Sequence, residues 1–252
     1  MTDPPLITAI AQVQFPPVAS LAREDFIGPF QERIRSQYPF LEREEQTVGI
    51  ELTSEGIRAQ TGSTPVWRFR DRQHEPIWNI SLAPSFVALD TVFYPSHAEF
   101  LFRLREVLRT LQDTVEPSAC TRIGLRHVDR LEVGPDLGDL VRPEMLGVVG
   151  VDYGADVGLI HALSDTLFRH GDAVLHGRWG LLPPNAVLDS LYGPGIESPS
   201  WVLDLDMYAE DVEGAFDVDD LVNMAEHFAQ SIYRFFLWAV RPELLRRCGG
   251  NA

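Results

Sequence analysis

The spacing of apolar residues predicts a strand, a helix and a group of strands in the first part of the chain. Residues 6–15 alternate apolar with small or polar side chains, as a strand does, and Pro16-Pro17 ends the run. Apolar residues then recur at intervals of four, at Phe26, Phe30 and Ile34, which predicts an amphipathic helix reaching Tyr38-Pro39. The pattern that follows predicts a meander of strands at 48–52, 57–60, 66–70 and 77–89.

The clearest helix in the sequence begins at Ser96. Ser96 and Glu99 have the spacing of a capping box, in which two side chains satisfy the first backbone N–H groups of a helix. An apolar stripe with helical spacing follows, formed by Phe100, Leu104, Val107, Leu108 and Leu111.

The second half of the chain repeats this order of elements. The pattern predicts strands at 122–133, 162–169, 173–181 and 201–207, with a short helix around 140–146. A closing helix begins near residues 217–220, where acidic side chains suit a helix N-terminus, and Pro242 ends it. Its predicted apolar stripe is Leu221, Met224, Phe228, Ile232, Phe235 and Trp238.

Each half therefore contains a strand, a helix, an antiparallel sheet and a long helix. Elements in this order predict an α+β fold in which the helices pack on one face of the sheet. We expect a single compact unit, 1–252, built from two similar halves, 1–117 and 118–252.

Hydropathy and cysteine content predict a cytoplasmic protein. No apolar run approaches the roughly 20 residues of a membrane span, and Arg234 interrupts the most apolar stretch, 232–240. The N-terminus has no pattern of a secretory signal. Cys120 and Cys248 are far apart in the sequence, which favours reduced thiols.

The charge of the chain excludes several functions. A net charge of −16, from 37 acidic residues and 21 cationic ones, argues against binding to nucleic acid or to an anionic membrane. The same charge favours either plain solubility or a basic protein partner. All the cationic residues are arginine, which excludes Schiff-base and phosphate-loop lysines.

The strand predicted at 122–133 carries the most distinctive polar residues. Strand alternation places Arg122, Arg126 and Arg130 on one face, and His127 and Asp129 on the other. Three arginines on one face could hold a carboxylate or phosphate ligand, or they could pair with acidic side chains of the protein itself.

Asp204 and Asp206 form the second candidate group. Their spacing places both carboxylates on one strand face, where they could share a metal ion or a proton, face solvent, or pair with the arginine stripe. We take pairing with the stripe as the hypothesis. His161, His170 and His176 have no metal-ligand spacing, and the sequence indicates no catalytic residue, no metal and no cofactor.

The chain resembles a sporadically distributed family of uncharacterised bacterial proteins of about this length. The resemblance rests on the opening strand, on residues 94–100, on the Arg-Ile-Gly-Leu-Arg string at 122–126, on 204–206, and on the closing helix with His227 and Phe235. His127 and Asp129 stand where the resemblance implies Tyr and Asn. It implies the fold but no activity, and the patchy distribution implies cargo of mobile gene clusters, such as defence or toxin-neutralising cassettes.

These observations favour a non-catalytic binding or regulatory protein that acts through a protein partner. The acidic surface and the lack of a complete catalytic constellation support this interpretation. A ligand-binding protein with a pocket between sheet and helices is the first alternative. An enzyme using Asp204, Asp206 and Arg126 is the second.

Overall fold

The computed structural model describes residues 4–47, 50–53, 56–59, 63–186, 197–210, 212 and 214–249. The helices are α1 (Glu24–Ile34), α2 (His97–Val115), α3 (Leu137–Leu140), α4 (Pro143–Leu146), α5 (Val218–Ala239) and α6 (Pro242–Arg247). The strands are β1 (Leu6–Gln14), β2 (Phe40–Thr47), β3 (Ile50–Thr53), β4 (Gly56–Ala59), β5 (Ser63–Arg70), β6 (Trp78–Ala83), β7 (Phe86–Thr91), β8 (Arg122–Glu132), β9 (Ala162–His170), β10 (Ala173–Leu182) and β11 (Ser200–Glu210). The predicted mixture of helices and antiparallel strands is confirmed. Nine of the described strands form one large antiparallel sheet, and β3 and β4 form a separate two-stranded sheet.

Backbone contacts divide the chain into two compact units. The N-terminal unit comprises Ile10–Ile123 and Glu210–Ala225. The C-terminal unit comprises Met1–Ala9, Gly124–Ala209 and Glu226–Ala252. Strands β1 and β8 and helix α5 therefore supply residues to both units.

The N-terminal unit has the strand order β2-β5-β6-β7-β1, together with α1 and α2. Its core is aromatic. The rings of Phe30 and Phe69 lie 5.4 Å apart between centroids, and those of Trp78 and Phe100 lie 5.9 Å apart. These contacts join α1 to β5 and α2 to β6, so the predicted helices cover the meander through large buried side chains.

Strand β2 was not predicted, because its sequence lacks apolar alternation. Ion pairs to β5 replace apolar contacts: Arg68 bonds Glu44 at 3.0 Å, and Arg70 bonds Glu42 at 2.6 Å. The predicted strands 48–52 and 57–60 correspond to β3 and β4, although residues 48–49 and 60 lie outside the described part of the chain.

The single strand predicted at 77–89 is wrong, since the chain turns at Pro84-Ser85 and forms the hairpin β6–β7. Proline has no N–H to donate to a sheet, which disfavours a continuous central strand through this position. The carbonyl groups of the turn instead accept hydrogen bonds from the N–H groups of Val18 and Phe15, at 2.8 and 3.0 Å.

Helix α2 confirms the predicted Ser96 cap and the apolar stripe. Ser96 Oγ accepts a hydrogen bond from the Glu99 N–H at 3.1 Å, and all five stripe residues are buried. The Glu99 carboxylate bonds Arg103 at 2.7 Å.

Replacing Leu104 with Ala is expected to lower the free energy of unfolding by about 2–5 kcal/mol, because the side chain is 1% exposed and the change leaves a cavity. Phe102→Ala on the same helix is the matched control. Phe102 is 57% exposed, so its loss should change stability by less than about 1 kcal/mol. Urea unfolding measures both, and equal midpoints for the two variants would contradict the assigned core face.

The C-terminal unit has the strand order β8-β11-β10-β9. The helix predicted around 140–146 is replaced by two single-turn helices, α3 and α4. Pro143 explains the break, because proline fits the first turn of a helix but disrupts one already under way.

Helix α5 begins and ends where the sequence predicts, but its buried stripe differs near the C-terminal end. Phe236 and Ala239 are buried, whereas Trp238 is 45% exposed and Phe235 is half-buried. The 3.6-residue period moves the buried face forward by about one residue over this length. Among the described residues, no helix is long and apolar enough to cross a membrane.

Candidate functional site

A buried ion cluster on β8, β10 and β11 contains one residue from each predicted group, Arg126 from the arginine stripe and Asp204 from the aspartate pair. Asp204 is 1% exposed and accepts two hydrogen bonds from Arg126, at 2.7 and 2.9 Å. Arg178 adds a third, at 2.5 Å to Asp204 Oδ2. The register of the sheet places Arg178 directly opposite Asp204. The predicted pairing of the arginine stripe with Asp204 is therefore confirmed for Arg126.

Arg130, the next member of the stripe, is fixed by neutral groups. Its Nε donates to Ser200 Oγ and its Nη2 to the Ala186 carbonyl, both at 2.8 Å. Burial lowers the pKa of Arg130. Val128 lies between Arg126 and Arg130 on this face and packs against Leu182 and Val202, so the ion cluster borders an apolar patch.

Two residues of the predicted groups remain, Arg122 and Asp206. Arg122 belongs to the N-terminal unit and is half-buried at the start of β8. Asp206 lies opposite His176 in the β10–β11 register. Asp204 is thus held by guanidinium groups from two different strands, β8 and β10.

Strand alternation directs His127 and Asp129 to the face opposite Arg126 and Arg130. Asp129 is 6% exposed. Burial, and secondarily the negative charge of Asp204, raises the pKa of Asp129 to about 7. This carboxyl group can therefore gain or lose a proton near neutral pH, which an ordinary aspartate does not do.

The geometry of Asp204 favours structural charge compensation over metal binding. Both carboxylate oxygens are held by guanidinium groups, and paired arginines exclude a cation from the same oxygens. Within the described ranges, no group of three or more His, Cys, Asp or Glu side chains is placed to hold a metal ion.

A partly open cavity of about 330 Å³ lies in the C-terminal unit, among β9, β10, β11 and α5. Its apolar wall consists of Phe168, Leu175, Met207 and Phe235. The rings of Phe168 and Phe235 lie 5.6 Å apart, and Trp179 and Trp238 extend the aromatic cluster behind Phe235 at 6.4 and 5.4 Å. These contacts fix the wall in place.

The polar lining of the cavity is cationic or neutral. It consists of Arg169, His170, Ser231 and Arg234. Among the described residues, no acidic side chain forms an ion pair with Arg169, His170 or Arg234. The two arginines give the lining a positive charge, although the chain as a whole has a net charge of −16. A positively charged lining attracts anions.

Sequence reasoning missed this cavity and the role of Arg178. Arg234 was visible as a charge inside the most apolar stretch of the chain, and that was the one signal pointing to α5. Phe168 and Leu175 were assigned to strands without a site, because only the antiparallel register of β9 and β10 brings them opposite each other.

No family model matches the chain, and no curated protein is similar to it. The functional argument therefore depends on the geometry of the cavity and of the surfaces around it.

Proposed function

We propose that the chain is a non-catalytic binding protein whose cavity between β9, β10, β11 and α5 takes a small anionic ligand with an apolar body. The observation that carries the proposal is the combination of an aromatic wall with a lining that has no described carboxylate. The cavity volume of about 330 Å³ lies at the lower end of the range of ligand pockets. This corresponds to the ligand-binding interpretation of the sequence.

The two kinds of lining residue have separate roles in this proposal. Phe168 and Phe235 stack against a flat apolar ligand body, with Leu175 and Met207 beneath it. Arg234 donates forked hydrogen bonds to a carboxylate or sulfonate, which is the recognition that a guanidinium group performs best. Ser231, one helical turn earlier on α5, adds a neutral hydrogen-bond donor.

We expect 2-naphthoate to bind more tightly than 2-naphthylmethanol, which has the same ring system without the charge. Arg234→Ala should weaken naphthoate binding by about tenfold, the effect of losing one charge-assisted hydrogen bond, and should change naphthylmethanol binding by less than about twofold. Isothermal titration calorimetry, supported by methyl NMR of Leu175 and Met207, measures both affinities.

Arg109→Ala is the matched control for this experiment, because Arg109 is an exposed arginine on α2, in the N-terminal unit. It should leave both affinities unchanged. Absence of saturable naphthoate binding, or equal weakening of both compounds by Arg234→Ala, would contradict the proposed anion recognition.

A protein partner is the second candidate function, and the exposed outer edge of β9 favours it. Most of β9 is exposed, including the apolar side chains of Leu163, Leu167 and Phe168. Exposed apolar edge strands recruit other strands. A basic partner and a role in a mobile defence or neutralising cassette remain predictions from charge and from the family resemblance.

Catalysis by Asp204, Asp206 and Arg126 is the third interpretation. The engagement of both Asp204 oxygens by arginines weighs against it, since a catalytic carboxylate needs a free oxygen for the reacting group.

Two finer features of the fold also stay predictions. These are the similarity of the halves 1–117 and 118–252 within one compact unit, and the packing of the helices on one face of the sheet. Superposition of residues 1–117 on residues 118–252 tests the first, because a true repeat places α2 and α5 equivalently on their strands.

A further inference from the structure

Strand β9 is the last strand in its sheet order, and its outer edge has no partner strand among the described residues. Its other edge pairs with β10 along nine residues, from Ala162 opposite Leu181 to His170 opposite Ala173. A long edge strand of this kind presents a regular row of backbone donors and acceptors.

This edge lacks several of the features that usually protect an edge strand. It contains no proline and no acidic or lysine-rich cluster, and Leu163, Leu167 and Phe168 are 38%, 64% and 38% exposed. The segment just before it adds further exposed apolar side chains, at Val148, Val151, Tyr153, Val157 and Ile160. Exposed apolar side chains in this number, within one unit, are consistent with an interaction site.

The sequence of β9 is complementary to itself when two copies run antiparallel. A two-fold axis through Leu167 places Leu167 opposite Leu167 of the second copy. It also places each Asp165 opposite Arg169, and each Thr166 opposite Phe168. Every pair is then favourable: two ion pairs, one apolar contact and two aromatic–β-branched pairs. The neighbouring pair, Ser164 opposite His170, is polar on both sides.

Other two-fold registers lose this match. An axis through Thr166 places Leu167 opposite Asp165 and Leu163 opposite Arg169, and an axis through Phe168 places Leu167 opposite Arg169. Only the register centred on Leu167 brings both charges of β9 opposite their complements. Because a shift of the centre by one residue removes both ion pairs and places Leu167 opposite a charged side chain, the charges specify the register.

We propose that two copies of this chain associate through β9, with antiparallel strand pairing centred on Leu167. The interface is isologous, so each contact occurs twice around the two-fold axis. Asp165 is available for it: its side chain is 62% exposed, and one of its oxygens accepts from His176 at 2.7 Å, which leaves the second oxygen for Arg169 of the other copy. Phe168 and Arg169 belong both to this strand and to the cavity lining, but the proposal does not depend on ligand binding there, because the anion-recognition residues Ser231 and Arg234 lie on α5.

Charge reversal tests the pairing through a pattern that a structural effect would not produce. D165R alone and R169D alone each place two like-charge pairs across the axis, and each should raise the dimer dissociation constant by about tenfold or more. An equimolar mixture of the two variants restores both ion pairs, so it should form a heterodimer. The double variant D165R/R169D should form a homodimer again.

Light scattering after size-exclusion chromatography measures the mass against the 28.3 kDa of one chain. Wild type and the control E144R, a charge reversal at an exposed residue of α4 in the same unit, should both be dimers. L167C should form a disulfide-linked dimer on mild oxidation, because the two sulfurs meet at the axis, whereas L163C should not.

Three results would overturn the proposal. A wild-type monomer at high micromolar concentration shows that β9 does not self-associate. Single charge reversals that remain dimeric, or a mixture that stays monomeric, show that another surface or another register is used. Circular dichroism of each variant separates these outcomes from failure to fold.

Discussion

Replacing Asp204 with Asn is expected to lower the free energy of unfolding by about 3–5 kcal/mol. Asp204 is 1% exposed and is the carboxylate that faces both Arg126 and Arg178. The amide keeps the size of the side chain but removes its negative charge, so two partly buried guanidinium groups lose their compensation. Such uncompensated charge costs much more than the intact cluster contributes, because desolvation is no longer offset.

Asp136→Asn is the control that separates this effect from the loss of any aspartate. Asp136 also pairs with an arginine, Arg247 at 3.3 Å, but its side chain is 51% exposed, so solvent screens the interaction. Its replacement should change stability by less than about 1 kcal/mol. Chemical unfolding at pH 8 measures both variants. Similar changes for the two would show that the Asp204 cluster is not energetically buried.

A variant with all three charges removed extends this test. Arg126→Met, Asp204→Leu and Arg178→Met together should be more stable than Asp204→Asn alone, because no charge is left without its partner. The comparison distinguishes the cost of a lone charge from the loss of packing volume.

Local signals in the sequence were sufficient for some elements and not for others. Helix α2 was predicted to the residue at its cap, because Ser96 and the apolar stripe both act within a few residues of the chain. Strand β2 was missed, since its acidic side chains pair with Arg68 and Arg70 on β5 and do not form an apolar face of their own. Such partners are distant in sequence, and no periodicity of β2 itself reveals them.

The same distinction applies to the candidate site. Alternation along β8 and β11 led to the correct pairing of Arg126 with Asp204, because the period of two is a property of each strand. The two side chains meet on the same face of the sheet. Arg178 joined them only through the register of β10, which depends on the lengths of the connections. The cavity needed two further strands and α5, so no single segment carried a signal for it.

Asp129 illustrates how burial changes a residue whose sequence context is ordinary. The sequence placed it on the face opposite the arginines, and the structure leaves it 6% exposed, with a pKa raised to about 7. An unfolded chain releases this proton near pH 3.9. Between these values the folded protein binds more protons than the unfolded chain, so the contribution of Asp129 to stability falls as the pH rises.

Asp129→Asn is therefore expected to stabilise the protein, and increasingly so towards alkaline pH. The amide resembles the protonated acid and does not ionise, so the variant avoids the cost of a buried charge. The gain over wild type should grow by about 2 kcal/mol between pH 5.5 and pH 8, and then level off once the folded-state carboxyl is ionised. Urea unfolding at several pH values measures the difference. Because Asp204 contributes to the raised pKa, the carboxyl carbon of Asp129 should titrate at lower pH in Asp204→Asn, as ¹³C NMR can record. A gain that is the same at both ends of the pH range would show that Asp129 ionises normally in the folded protein, and that its burial is offset by contacts other than protonation.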